Sequence, residues 1–246
     1  MNTCVSSYQN HSYLARNVRQ GSYCCPLNFP DLLCSMLIFH YAKGTCSLAS
    51  HLALEYAGAD YQAVRVDFSQ QEQRSPEFLR LNPKARVPTL TTESGVLTET
   101  PALLQYISQR FSDAKLAPLG DHFQLARVNE FNSYLCATVH VAHAHRVRGY
   151  RWADDAAAIE SMKAKAPQVM ADCFELIERT MFMGPWVLGD DFSVCDMYLF
   201  TLAGWLKGDG VDIERFQHVA DHYRRMAADP LVVKVLAAQS APALPA

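Results

Sequence analysis

The sequence predicts an α/β N-terminal domain over residues 36–116, joined to an all-α C-terminal domain over residues 122–246. Three observations carry that prediction. Apolar runs of strand length alternate with helix-period segments in the first part of the chain. A stretch at 113–121, containing Pro118 and Gly120, then interrupts the pattern and reads as a linker. Beyond it apolar residues recur every three or four positions, and no strand pattern returns.

The run Leu37-Ile38-Phe39-His40-Tyr41 has the length and aromatic content of a buried strand. Ala42-Lys43-Gly44-Thr45 breaks it, and Leu48, Ala49, Leu52, Ala53 and Tyr56 follow at helical spacing. Residues 61–68 alternate polar and apolar and predict a second strand. Residues 76–81 predict a short helix that Asn82-Pro83 ends. Thr89-Leu90-Thr91-Thr92 and Val96-Leu97-Thr98 predict two strands around a turn at Ser94-Gly95. Thr100-Pro101 has the form of an N-cap and first helical residue, with Leu103, Tyr106, Ile107 and Arg110 behind it.

In the second half, residues 123–148 predict one long helix with Leu125, Val128, Phe131, Leu135, Val139 and Ala142 on one side. Gly149 stops it, and Tyr150-Arg151-Trp152 form an aromatic loop. Residues 154–180 predict a second long helix, bent at Pro167. Ser193 and Asp196 are spaced as a capping box, with Phe192 and Met197 at the staple positions. Helices over 213–228 and 230–239 close the chain.

A hydrophobic content of 50% against 19% charged residues is that of a globular protein. The formal charge of -3, with no basic block, argues against a nucleic-acid partner. No stretch reaches the ~18 apolar residues of a membrane span. Cys46, Cys136, Cys173 and Cys195 stand singly inside apolar patterns, so no disulfide framework is expected and the setting reads as cytoplasmic. Residues 1–35 hold the other four cysteines, lack period, and have no continuous apolar core of a secretory signal. They read as a disordered extension ahead of the fold, with Met36 as the natural start.

Three features carry chemistry. Cys46 opens a helix, where unpaired amides and the positive dipole end favour thiolate over thiol. Pro88 leads directly into a strand; a cis bond before it leaves the amide and carbonyl of Val87 free to pair with a peptide-like ligand. Glu99 and Thr100 stand at a helix start, where amides and hydroxyl can hold a carboxylate and Glu99 can hold an amine. His140 and His143 share a helix face, but no carboxylate lies close in sequence to complete a metal site, and no metal is expected.

These features in this order resemble the thioredoxin-like domain of the cytosolic glutathione S-transferases over residues 36–111, the bacterial beta class in particular. The matching motifs are Lys43-Gly44-Thr45-Cys46-Ser47-Leu48 with His51, Asn82-Pro83-Lys84, Val87-Pro88-Thr89-Leu90 and Leu97-Thr98-Glu99-Thr100. The capping box also occurs in the helical domain of that family. The resemblance implies that Val87 and Pro88 meet the cysteinyl part of glutathione, that Glu99 and Thr100 hold its γ-glutamyl end, and that Gln71 stands where the class has a contacting lysine. Cys46 then either stabilises the glutathione thiolate or forms a mixed disulfide with it, with Tyr41 or Ser47 as substitutes for that thiol contact. His140 falls at a cleft histidine of the class as a hydrogen-bond donor near the thiol. Tyr41, Arg146, Tyr150 and Trp152 join it as candidates for the second-substrate pocket. Ser50, Ser133 and Val141 depart from the class pattern.

The implied function is conjugation of glutathione, as co-substrate, to small hydrophobic electrophiles in a homodimer, with a thiol-disulfide reductase or peroxidase activity through Cys46. A non-catalytic ligand-binding or protein-interaction member of the fold is the rival. The full set of Cys46, Val87-Pro88 and Glu99-Thr100 argues against it, because a scaffold need not hold a glutathione site. Deleting residues 1–35 is expected to leave melting temperature and glutathione binding unchanged; a marked fall in melting temperature would place that segment in the core.

Overall fold

The structure, a computed structural model, describes residues 36–241. The reading of residues 1–35 therefore lies outside the described residues. Strand β1 (Leu37–Tyr41) pairs in parallel with β2 (Tyr61–Arg65) and antiparallel with β3 (Thr89–Thr92), and β3 pairs antiparallel with β4 (Gly95–Thr98). The sheet order is β2-β1-β3-β4. Helix α1 (Ser47–Tyr56) makes the crossover between the parallel strands, α2 (Pro76–Leu81) lies between β2 and β3, and α3 (Thr100–Arg110) follows β4. This is the thioredoxin-like α/β arrangement, with helices after it throughout.

The period of two in β1 sorts the helices onto two faces. Leu37, Phe39 and Tyr41 are buried, and the rings of Phe39 and Tyr41 pack against His51 of α1. His40 points the other way, edge-on to Phe78 of α2. A small second core of Ala42, Val66, Phe78 and Val87 closes that side.

The C-terminal part contains α4 (His122–Tyr134), α5 (His140–Arg148), α6 (Ala156–Leu176), α7 (Val194–Ala203), α8 (Gln217–Ala228) and α9 (Pro230–Ser240). The single helix expected over 123–148 is instead two α segments joined by a π turn at Leu135–Val139, and α6 ends in another at Ile177–Met181. Hydrophobic period read over a few turns cannot reveal such a turn, because one inserted residue displaces the apolar stripe by only a single position. Pro167 sits inside α6.

All ten residues of α7 are buried. A helix apolar on every side belongs at the centre of a core, and α7 packs against α1, α4 and α8. Its start is the expected capping box. Asp196 accepts from the amide of Ser193 at 2.8 Å, and Ser193 Oγ accepts from the amide of Cys195 at 3.2 Å. Asp196 also accepts from the amide of Val187 at 2.8 Å and meets His222 Nε2 of α8 at 3.1 Å.

Helix α9 returns to α1. Lys234 pairs with Glu55 at 2.7 Å, and Gln239 Nε2 donates to His51 Nδ1 at 3.0 Å. His51 is 3% exposed, and burial pushes its pKa down from 6.5 to about 4. Burial also lowers His40 and brings His140 to about 4. The unfolded chain binds these protons first as pH falls, so their contribution is complete above pH 6.5 and is lost between 6.5 and about 4. For His51 alone the upper bound is ~3 kcal/mol. Thermal melts from pH 7.5 to 4 should show stability falling over that window, and His51→Gln should flatten the slope. An unchanged slope in the variant would show that His51 is protonated in the folded state.

Candidate active site

The loop before α1 is tied down by its own side chains. Thr45 Oγ1 and Ser47 Oγ both donate to the carbonyl of Ala42, at 2.8 and 3.1 Å, and the Ala42 amide donates back to Ser47 Oγ at 3.2 Å. Gly44, at φ +74°, supplies the left-handed residue the turn needs. The knot delivers Cys46 at the N-cap of α1. It also uses up the hydroxyl of Ser47, which is not available as a substitute for the thiol.

Opposite Cys46, buried Asn82 shapes the next loop: its side-chain amide donates to the Arg86 carbonyl at 2.7 Å and to Thr89 Oγ1 at 3.1 Å. The Val87-Pro88 peptide bond is cis. Cys46 Sγ donates to the Val87 carbonyl at 3.7 Å. Glu99 caps α3 at φ +75°, a strained conformation for a side-chain-bearing residue, and Thr100 is buried beside it. Lys84 Nζ donates to Glu99 Oε1 at 2.5 Å and to Thr98 Oγ1 at 2.6 Å, so Glu99 stands in an ion pair.

These loops form one wall of a cleft of about 210 Å³. The helical half forms the other: Cys136 from the π turn, His140, His143 and Arg148 from α5, Trp152, Tyr198 from α7, and Trp205. Cys46, Val87, Pro88, Glu99, Thr100, His140 and Trp152 are thus brought together in one cleft. Gln71 and Tyr150 are not; they line an adjoining hollow with Arg74, Arg86, Arg148 and Arg151.

Two expectations need correcting. Tyr41 lies on the core face of β1, 7% exposed and stacked on Phe39, and does not reach the cleft. Arg146 turns away to Asp209, with Nε at 3.5 Å from its carboxylate.

The thiol also departs from expectation. Burial pushes Cys46 up to about 11, a larger effect than the opposing pull of the Thr100 hydroxyl and the Arg148 charge. Its side chain accepts no cap hydrogen bond from α1 and is turned to a carbonyl, an arrangement that favours S–H over S⁻. His140 differs from its expected role as well. Its Nε2 accepts from Arg148 Nη2 at 3.3 Å, and burial first, then Arg148, keep the ring neutral. A neutral imidazole with that nitrogen engaged is not a donor toward the thiol from Nε2.

Sequence reasoning missed Arg148, Tyr198, Trp205 and Cys136. Arg148 reads as an ordinary basic residue at a helix end, and Tyr198 as core. Yet the buried Tyr198 hydroxyl has no hydrogen-bond partner and lies beside Cys136 and Thr100 at the cleft floor. No group of three or more His, Cys, Asp or Glu among the described residues could hold a metal ion.

Residues 35–109 match the family described as glutathione S-transferase, N-terminal domain. A glutathione transferase homolog from Sulfitobacter, solved with bound glutathione, is 43% identical, with a TM-score of 0.79 over 81% of this chain and 96% of that one. The chain belongs to the glutathione S-transferase family. A bacterial beta class glutathione S-transferase from Sphingomonas chungbukensis is 31% identical, with a TM-score of 0.72 over 82% of this chain and 98% of its own. The glutathione S-transferase GstA of Escherichia coli O157:H7 is 27% identical over 81% of this chain and 96% of its own. Both halves of the fold are therefore those of this family.

Proposed function

We propose that this protein is a glutathione transferase that joins the glutathione thiolate to small electrophiles with hydrophobic groups. The observation that carries the reading is one cleft holding the Cys46 thiol, the backbone of Val87 and the N-terminus of α3. The cysteinyl part of glutathione pairs with Val87 beside Pro88. Its γ-glutamyl carboxylate goes to the amides and hydroxyl of Thr100, and its amine to Glu99. Gln71, in the adjoining hollow, faces the glycine end. His140, Trp152 and the outlying Tyr150 border the electrophile.

In this reading Cys46 does not attack. A thiol held near 11 is a hydrogen-bond donor at neutral pH, and Sγ re-aims from the Val87 carbonyl to the glutathione sulfur. Conjugation is then the main activity, and disulfide exchange through Cys46 is slow.

Retention of the protein on immobilised glutathione, and conjugation of an activated aryl halide, test the activity. Cys46→Ala should lower kcat/KM about tenfold, the loss of one hydrogen bond to a charged acceptor worth ~1.5 kcal/mol. Iodoacetamide at pH 7 should label Cys46 slowly, and no faster than half-buried Cys136. Rapid labelling of Cys46, with an abolished rate in the alanine variant, would make it a nucleophile instead.

We also propose a C2 homodimer, the arrangement the family resemblance implies. Light scattering at micromolar concentration should give a mass near twice 27.5 kDa, and a monomer would overturn the assignment.

A further inference from the structure

If Cys46 keeps its proton, the glutathione thiol must lose its own to something else. The cleft offers two imidazoles. His140 has Nε2 engaged by Arg148 at 3.3 Å. His143, one helical turn on, is arranged differently. Its Nδ1 lies 2.8 and 3.0 Å from the two carboxylate oxygens of Asp209, a residue with its side chain 1% exposed. The ring stacks on Trp205 with centroids 4.3 Å apart and planes 26° apart. A carboxylate on Nδ1 fixes the proton there, so the lone pair sits on Nε2. His143 lines the cleft, and its Nε2 has no hydrogen-bond partner and is not sealed from solvent among the described residues.

We infer that His143 is the general base of this cleft and that Asp209 is the positioning residue that holds it. The inference rests on the transferase reading above. Nε2 takes the proton of the glutathione thiol. The sulfur adds to the halogen-bearing ring carbon, the nitro-substituted ring holding the electron pair; the carbon–halogen bond then breaks, its pair leaving with the halide, and the imidazolium returns the proton to solvent. No oxidant or reductant is needed.

The surroundings suit a base that must lower its charge between turnovers. Besides Asp209 and its partner Arg146, the charged or titratable groups that share the cleft with His143 are His140 and Arg148 on α5, Arg151 beyond it, Arg86 and Glu99 on the facing loops, and the thiols of Cys46 and Cys136. From α6, which packs against α5, the buried residues are Ala166, Met170, Ala171, Cys173 and Phe174. The carboxylate of Asp209 is shared with Arg146, which keeps it anchored when His143 is neutral.

The test uses the full chain, glutathione, and 1-chloro-2,4-dinitrobenzene as electrophile, between pH 5.5 and 9. His143→Gln should lower kcat about 100-fold at pH 7 and move the acid limb of the profile upward, with KM for glutathione and retention on immobilised glutathione unchanged. Asp209→Asn should lower kcat about 10- to 100-fold with the same displaced limb, and Asp209→Glu should restore part of the rate. Added imidazole should rescue His143→Ala. A His143→Gln enzyme with the wild-type limb, or Asp209 variants that lose only melting temperature, would overturn the inference. Wild-type protein that fails to bind glutathione would instead overturn the transferase reading, and His143 with it.

Discussion

Asp196 is the group on which the rest of the architecture depends. It is a carboxylate with no exposure, and it survives there because each oxygen is used: the amides of Ser193 and Val187, the Ser193 hydroxyl and His222 of α8 all point at it. Removing one partner of such a buried charge typically costs ~3–5 kcal/mol. The bonds fix where α7 begins and lock α8 and the 187 turn onto it. Because α7 is buried on every side, its position sets that of α1, which carries Cys46, and its own Tyr198 forms the cleft floor. A folding determinant and the geometry of the cleft are thus one construction.

Much of this was legible from residue pattern. The four strands, the helix starts at Pro76 and Ser193 and the breaks at Gly44 and Asn82 follow from local rules of capping and turn chemistry, which act over a few residues. The Val87 and Thr100 placements were legible because the sheet delivers them by short connections. What was not legible depends on distant residues. Asp209 meets His143 across 66 positions, and Arg148 meets the cleft only because a π turn precedes its helix. Tyr41 and Arg146 failed for the same reason, since a strand face and a helix face are chosen by tertiary packing.

The state of the thiol shows two effects in competition. A helix N-terminus favours an anion by roughly 0.3–1 kcal/mol at an exposed position. Desolvation at a buried position is larger, and here it wins, with Thr100 and Arg148 recovering only part of the cost. The same burial that raises Cys46 keeps His140 and His51 neutral, so the interior between the two halves stores its protons in the thiol and withholds them from the imidazoles.

The π turn at Leu135–Val139 gives this wall of the cleft a property of its own. An α-helix advances about 100° per residue, so the extra residue in the turn sets the rotational phase of everything after it. His140, His143 and Arg148 reach the cleft together because of that phase. Loss of a single residue there would convert the turn to ordinary helix and swing all three away while presenting a fresh set of side chains. Evolution therefore has a discrete dial on this fold: one codon in the π turn exchanges the chemical character of the helical wall of the cleft while the opposite wall stays as it is.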